Sequence, residues 1–145
     1  MLWKGIYTTG VDEVDWQNFN LLDYVEVMMN TEDNGARLMQ LEIFEELVKN
    51  FFECEQRLHD ECRYFAADRH RYVHENFIEM LGRIKRDYVK TGITLENENL
   101  FRKHVVAFFK NHIVCDDRLF AFFYNNNVLR ENFVEHENTY VESAV

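Results

Sequence analysis

Two windows of the chain hold the residue types that could bind a metal. Glu55, His59, His70 and His74 stand between Phe51 and His74, and His112 and Asp117 bound a second, shorter window. Four of the six histidines fall inside these windows, so imidazole is concentrated rather than scattered. Residues four apart share one face of a helix, which pairs Glu55 with His59, and His70 with His74, at chelate spacing. Neutral imidazoles suit iron, zinc or copper. Carboxylates added to three histidines favour iron or manganese over structural zinc, which takes four ligands and commonly sulfur. The competing reading is a polar cluster in a metal-free core, where the same groups satisfy one another by charged hydrogen bonds. A ferritin-like di-metal site needs Glu-x-x-His pairs. The residues three before the histidines are Gln56, Ala67, Arg71, Phe101, Phe109 and Phe133, none of them glutamate, so that class is disfavoured.

Helices must position these groups. The chain has no proline and five glycines over 145 residues, so long windows lack breakers, and 47% hydrophobic with 29% charged residues is a globular composition. The expectation is one all-α domain, 1–145. Asp12 is placed as the cap of a first helix whose apolar face includes Asn18, and Thr31 to Gly35 reads as the loop that ends it. A second helix is expected from about Ala36 to about Phe65, with Glu55 where a core residue belongs. A buried carboxylate there demands a cation, a proton or a metal. Asp68 is the expected cap of a third helix that stops at Gly92, and Thr94 that of a fourth reaching Asn125. On an ideal helix His112 and Asp117 lie about 140° apart, so both reach the interior only if Asp117 turns inward. Short loops make the four helices an up-down-up-down bundle, with an N-terminal arm and a short C-terminal extension that includes an amphipathic turn around Val128 to Phe133. His104 is read as structural and His136 as exposed in the tail.

The net charge of −10 disfavours nucleic acid and anionic membrane surfaces as partners. No apolar run approaches the roughly 20 residues of a membrane span, and the expected location is cytoplasmic. Cys54, Cys62 and Cys115 form no CxxC pair and are expected to be buried thiols without a disulfide.

In order and spacing the chain resembles the hemerythrin family, specifically bacterial hemerythrin-like domains. Trp3, Tyr7, Gly10-Val11 and Asp15-Trp16-Gln17 match the family's opening. Phe52, Glu55 and Tyr64 match its second block, His70 and His74 its His-x-x-x-His, and His112-Ile113 with Asp117 its final motif. The resemblance spans about Trp3 to Phe123 and implies a four-helix bundle holding non-haem iron, one or two ions, that binds oxygen or a similar small ligand for storage, delivery or sensing. It makes His70, His74 and His112 the ligands of one iron and Glu55 and Asp117 the bridging carboxylates. Two of the five usual histidines are replaced, by Asn18 and Phe51, so the second half-site is altered. Phe51 is expected to fill the volume of the second metal and its ligand, and Asn18 to be a weak oxygen ligand or a core amide. His59 stands where the family has methionine, as an extra ligand, a residue behind the ligands, or a hydrogen-bonded core histidine. The implied role is binding, not catalysis, because three histidines with carboxylate match an iron oxygenase triad poorly. The alternative is a metal-free bundle acting as an interaction module.

Overall fold

Helix starts and stops are set by a few polar side chains. A computed structural model describes residues 1–127; the expected turn at Val128 to Phe133 and His136 lie outside the described residues. Helix α1 is Asp12–Met29, α2 is Asn34–Glu61 and α3 is Ala67–Thr91. Helix α4 is the run 95–127, which opens as Leu95–Phe101 and carries two π-helical turns, Arg102–Val106 and Ile113–Asp117. Contacts run α1 to α2, α2 to α3 and α3 to α4, and the architecture is an all-α four-helix bundle.

The caps differ in part from expectation. Thr94 caps α4 as expected, accepting from the Asn97 amide, and Gly92 ends α3 at φ 71°, the left-handed region glycine tolerates best. Asp33 caps α2 by accepting from the Ala36 amide, which starts that helix two residues early. Asp12 lies inside α1 instead of capping it. Val11 stands at the N-cap without a side-chain cap bond, and Asp15 in the first turns instead holds the preceding segment, accepting from the Thr9 amide and hydroxyl at 2.7 Å each and from the Gly10 amide at 3.1 Å. Asp68 likewise lies inside α3, whose preceding residue is Ala66. Helix α2 ends at Glu61, short of Phe65, because Arg63 takes φ 53° and turns the chain.

The arm closes the bundle through a 3-10 turn at Gly5–Tyr7, with Trp3 against Tyr7 and Phe19, ring centroids 5.8 Å apart in each case. The main core includes Leu22, Val25, Leu41, Phe44, Leu81 and Phe109, and a smaller one joins Val14, Leu58, Tyr64 and Phe120. Each such side chain contributes roughly 1.5–3 kcal/mol on burial. A buried Arg37, 1% exposed, sits away from both windows. Its guanidinium donates to Tyr88, Glu98 and the Thr31 carbonyl, and the Tyr88 hydroxyl donates to Glu98 at 2.5 Å, tying the α1–α2 loop to α3 and α4. Cys54 and Cys62 are half-buried and Cys115 exposed, not the buried set expected, and no disulfide joins them.

Candidate metal centre

The candidate ligands meet where the two cores adjoin. Helix α2 brings Glu55, α3 brings His70 and His74 one turn apart, and α4 brings His112 and Asp117; all five are buried. The donor atoms of Glu55, His70, His74 and His112 lie within 4.8 Å of one another. Asp117 adjoins this group from one side, its Oδ1 lying 3.0 Å from His112 Nε2 and 3.4 Å from His70 Nε2. The π-helical turn Ile113–Asp117 explains how. Hydrogen bonding from i to i+5 widens the turn, so residues five apart come to one face.

The spacing is that of atoms gathered round a common centre. His112 Nε2 is 3.1 Å from His70 Nε2 and 3.0 Å from His74 Nε2, while Glu55 Oε2 is 3.0 Å from His74 and 3.5 Å from His70. Ligand atoms about 2.1 Å from a metal and at right angles are separated by about 3.0 Å. Two pairs have no nitrogen–oxygen approach within 4.0 Å: Glu55 with His112, and His74 with Asp117. The four atoms of the group thus face one centre, with Asp117 set against its His70 and His112 side.

A metal-free network accounts for this arrangement less well. Asp117 Oδ1 is buried and has no well-aligned hydrogen bond despite two nitrogens at 3.0–3.4 Å. Glu55 Oε1 is also buried without a partner. Such atoms are costly unless something completes their shell. The donor set therefore fits a metal ion, and the group Glu55, His70, His74 and His112 could hold one.

Electrostatics follow from the same contacts. Burial opposes charge on every member, but short contacts outweigh it for three. Asp117 and Glu55 hold the His70 pKa up at about 9, and Asp117, Asp116 and Glu55 hold that of His112 up at about 10. His70 and His74 keep the Glu55 carboxyl well below its usual range. His74 goes the other way, with burial prevailing over Glu55 and lowering it.

Residues around the ligands sort into distinct roles. Asp116, which sequence reasoning did not single out, accepts from His112 Nδ1 at 2.9 Å, and this contact lowers the Asp116 pKa. That is the carboxylate–histidine pairing that fixes a ligand's tautomer and orientation, and the i, i+4 spacing of His112 and Asp116 was its signal. Phe52 stacks on His74 at 3.6 Å with the rings 1° from parallel. Phe51, the replaced position, is half-buried and lies 6.0 Å from the exposed Trp16 ring. Asn18 is a core amide: its Nδ2 donates to Asp117 Oδ2 at 2.7 Å. His59 is fully buried but joins neither the ligand group nor a hydrogen bond, for both ring nitrogens lack partners. Its ring lies 4.5 Å from that of His70 and 4.3 Å from Phe120, and burial, with His70 beside it, drives its pKa down to about 4. His104 is half-buried.

Comparison of the chain with protein-family models, with curated proteins and with solved structures finds no match. No helix among the described residues is long and apolar enough to cross a membrane.

Proposed function

We propose that the protein is a hemerythrin-like non-haem iron protein that binds oxygen or a related small ligand, with one metal position kept and the second impaired. The observation that carries this reading is the convergence of three imidazole nitrogens and two carboxylate oxygens at separations of 3.0–3.5 Å, with buried oxygens that lack partners. His70, His74, His112, Glu55 and Asp117 would hold the ion, which when bound supplies a redox-active Lewis acid. The chain's own residues do the rest. Asp116 holds the His112 ring, Phe52 holds His74 edge-on to the ligand centre, and Phe77, Phe109 and Phe120 keep bulk water away. Three neutral imidazoles and two carboxylates balance a divalent ion, which suits a buried site.

The altered second position rests on two side chains. Phe51 offers no donor atom, and Asn18 spends an amide hydrogen on Asp117 instead of presenting a ring nitrogen. We therefore expect iron without stable, reversible oxygen carriage. The test is element analysis of the purified protein, then anaerobic ferrous loading followed by air. About one iron per chain and no band that comes with oxygen and goes under argon is the expected result. A protein that takes up no iron would instead be the metal-free interaction module. Iron loading with a reversible oxygen band would show the second position to be working.

A further inference from the structure

The end of the bundle formed by the α2–α3 turn and the last turns of α4 leaves a large apolar surface uncovered. Phe65 is 73% exposed, Phe122 70% and Leu119 47%, and with Phe123, Asn126 and Asn127 they line a groove of about 450 Å³. Phe65 packs edge-on against Tyr64 and Phe123, ring centroids 5.1 and 5.7 Å away, so the rings make one continuous face. A single apolar side chain on a surface is ordinary, whereas a contiguous aromatic face marks a place where something binds.

The position of the chain and its charge select the occupant. Asn127 lines the groove, and its Nδ2 donates to the Cys62 carbonyl at 3.5 Å, so α4 ends beside the turn that carries Phe65. Val128 follows directly. Leu129 and Phe133 are four apart, at the spacing that puts two side chains on one helix face, and no more than about 20 Å of chain separates Phe133 from Asn127. Residues 128–145 carry Glu131, Glu135, Glu137 and Glu142 against Arg130 alone. Around the groove the balance is reversed. Arg63, two residues before Phe65, Arg69 at the start of α3, and Arg118, one helical turn before Phe122, are all exposed. Of the carboxylates among them, Asp68 is exposed and Asp116 is committed to His112. In a chain at −10, this basic rim is a place where an acidic segment can settle. Surface charge pairs add little affinity, so they fix orientation while the apolar side chains supply the contact. A tethered segment also acts at an effective concentration of about millimolar, which a second copy of the chain would have to match while bringing its own −10.

We propose that this groove is the docking site of residues 128–134 of the same chain, with Leu129 and Phe133 as the apolar anchors. The proposal is independent of any metal. Docked there, the segment covers Phe65 and Phe122 and closes the end of the bundle that backs the ligand group, where Tyr64 lies 5.0 Å from the His59 ring and His59 lies 4.5 Å from that of His70.

The test uses the full-length protein. Isotope-filtered Overhauser spectra of an equal mixture of labelled and unlabelled chains should show contacts from the Leu129 and Phe133 side chains to Phe65 and Phe122, all within one chain. Phe133→Asp, which alters no residue of the four helices, should abolish those contacts and raise the binding of a dye specific for exposed apolar surface severalfold. Contacts that run between labelled and unlabelled chains would give the groove to a second copy and overturn the proposal. So would the absence of contacts in the unmutated protein, a reading that does not depend on the variant, or a Phe133→Asp protein that binds the dye no better than the parent.

Discussion

Metal loading should expel protons, and their number follows from the ligand cluster. His70 and His112 have pKa values raised to about 9 and about 10 by the carboxylates against them, while that of His74 is lowered. Near pH 7 the metal-free centre therefore carries protons on His70 and His112, which stand in for the charge of a divalent ion. Both must leave before Nε2 can coordinate. Two protons lost per ion make apparent affinity rise by about two decades, or about 2.7 kcal/mol, for each pH unit below the lower of these values. The assay is anaerobic ferrous titration by calorimetry between pH 6 and 8, in buffers of differing ionisation enthalpy, which reads the proton count directly. Stability of the metal-free protein carries the opposite sign. Groups whose pKa is raised on folding contribute fully below the ordinary histidine value of about 6.5, and that contribution is lost as pH rises through about 9 to 10. Glu55, held low, contributes above the ordinary carboxyl range and loses this contribution on acidification. The metal-free protein should thus weaken at alkaline pH just where iron affinity is greatest. A pH-independent affinity with fewer than one proton released would refute the reasoning, because it would mean that His70 and His112 are not the groups the ion displaces protons from.

Three substitutions separate the roles of neighbouring residues. Asp116→Asn should lower iron affinity about 10- to 100-fold, measured by competition with a chelator, because His112 loses the carboxylate that orients it; unchanged affinity would show that contact to be incidental. His59→Leu should leave iron stoichiometry unchanged and stabilise the fold by about 1–3 kcal/mol in denaturant unfolding, since it removes a buried ring with two unpartnered nitrogens. Loss of iron in that variant would instead make His59 a ligand. Arg37→Met should cost about 3 kcal/mol, the low end for a broken buried pair because Glu98 retains 18% exposure, and should not alter iron binding about 27 Å away along α2.

The bundle was legible because its signals are redundant. Apolar periodicity, absence of proline, and Gly92 and Thr94 at a helix boundary all agree, and an error of two residues at Asn34 or of four at Glu61 does not move a face. Single-residue assignments were less secure. Phe51 and Phe52 are neighbours on one helix, and periodicity cannot tell which ring lies on His74; the structure gives that place to Phe52. Arg37 was invisible because a charged residue in an apolar stretch reads as solvated until Tyr88 and Glu98, distant in sequence, are seen around it.

The relation of His112 to Asp117 carries more information than any of these. Five residues apart, they conflict with a regular α-helix, which would turn one of them away from the centre. The chain resolves the conflict by widening the turn at Ile113–Asp117, and so departs from the preferred backbone form at the place where two candidate ligand groups converge. Local rules tend to fail at functional sites and hold elsewhere. The other π-helical turn, Arg102–Val106, carries no candidate ligand, so the placement of the buried Asp117 carboxylate against His70 and His112, not the widened turn alone, is what bears on the metal reading. The turn at Ile113–Asp117 also places Asp116 one residue earlier, on the outer nitrogen of His112, so one backbone irregularity delivers a candidate ligand and the group that orients its neighbour.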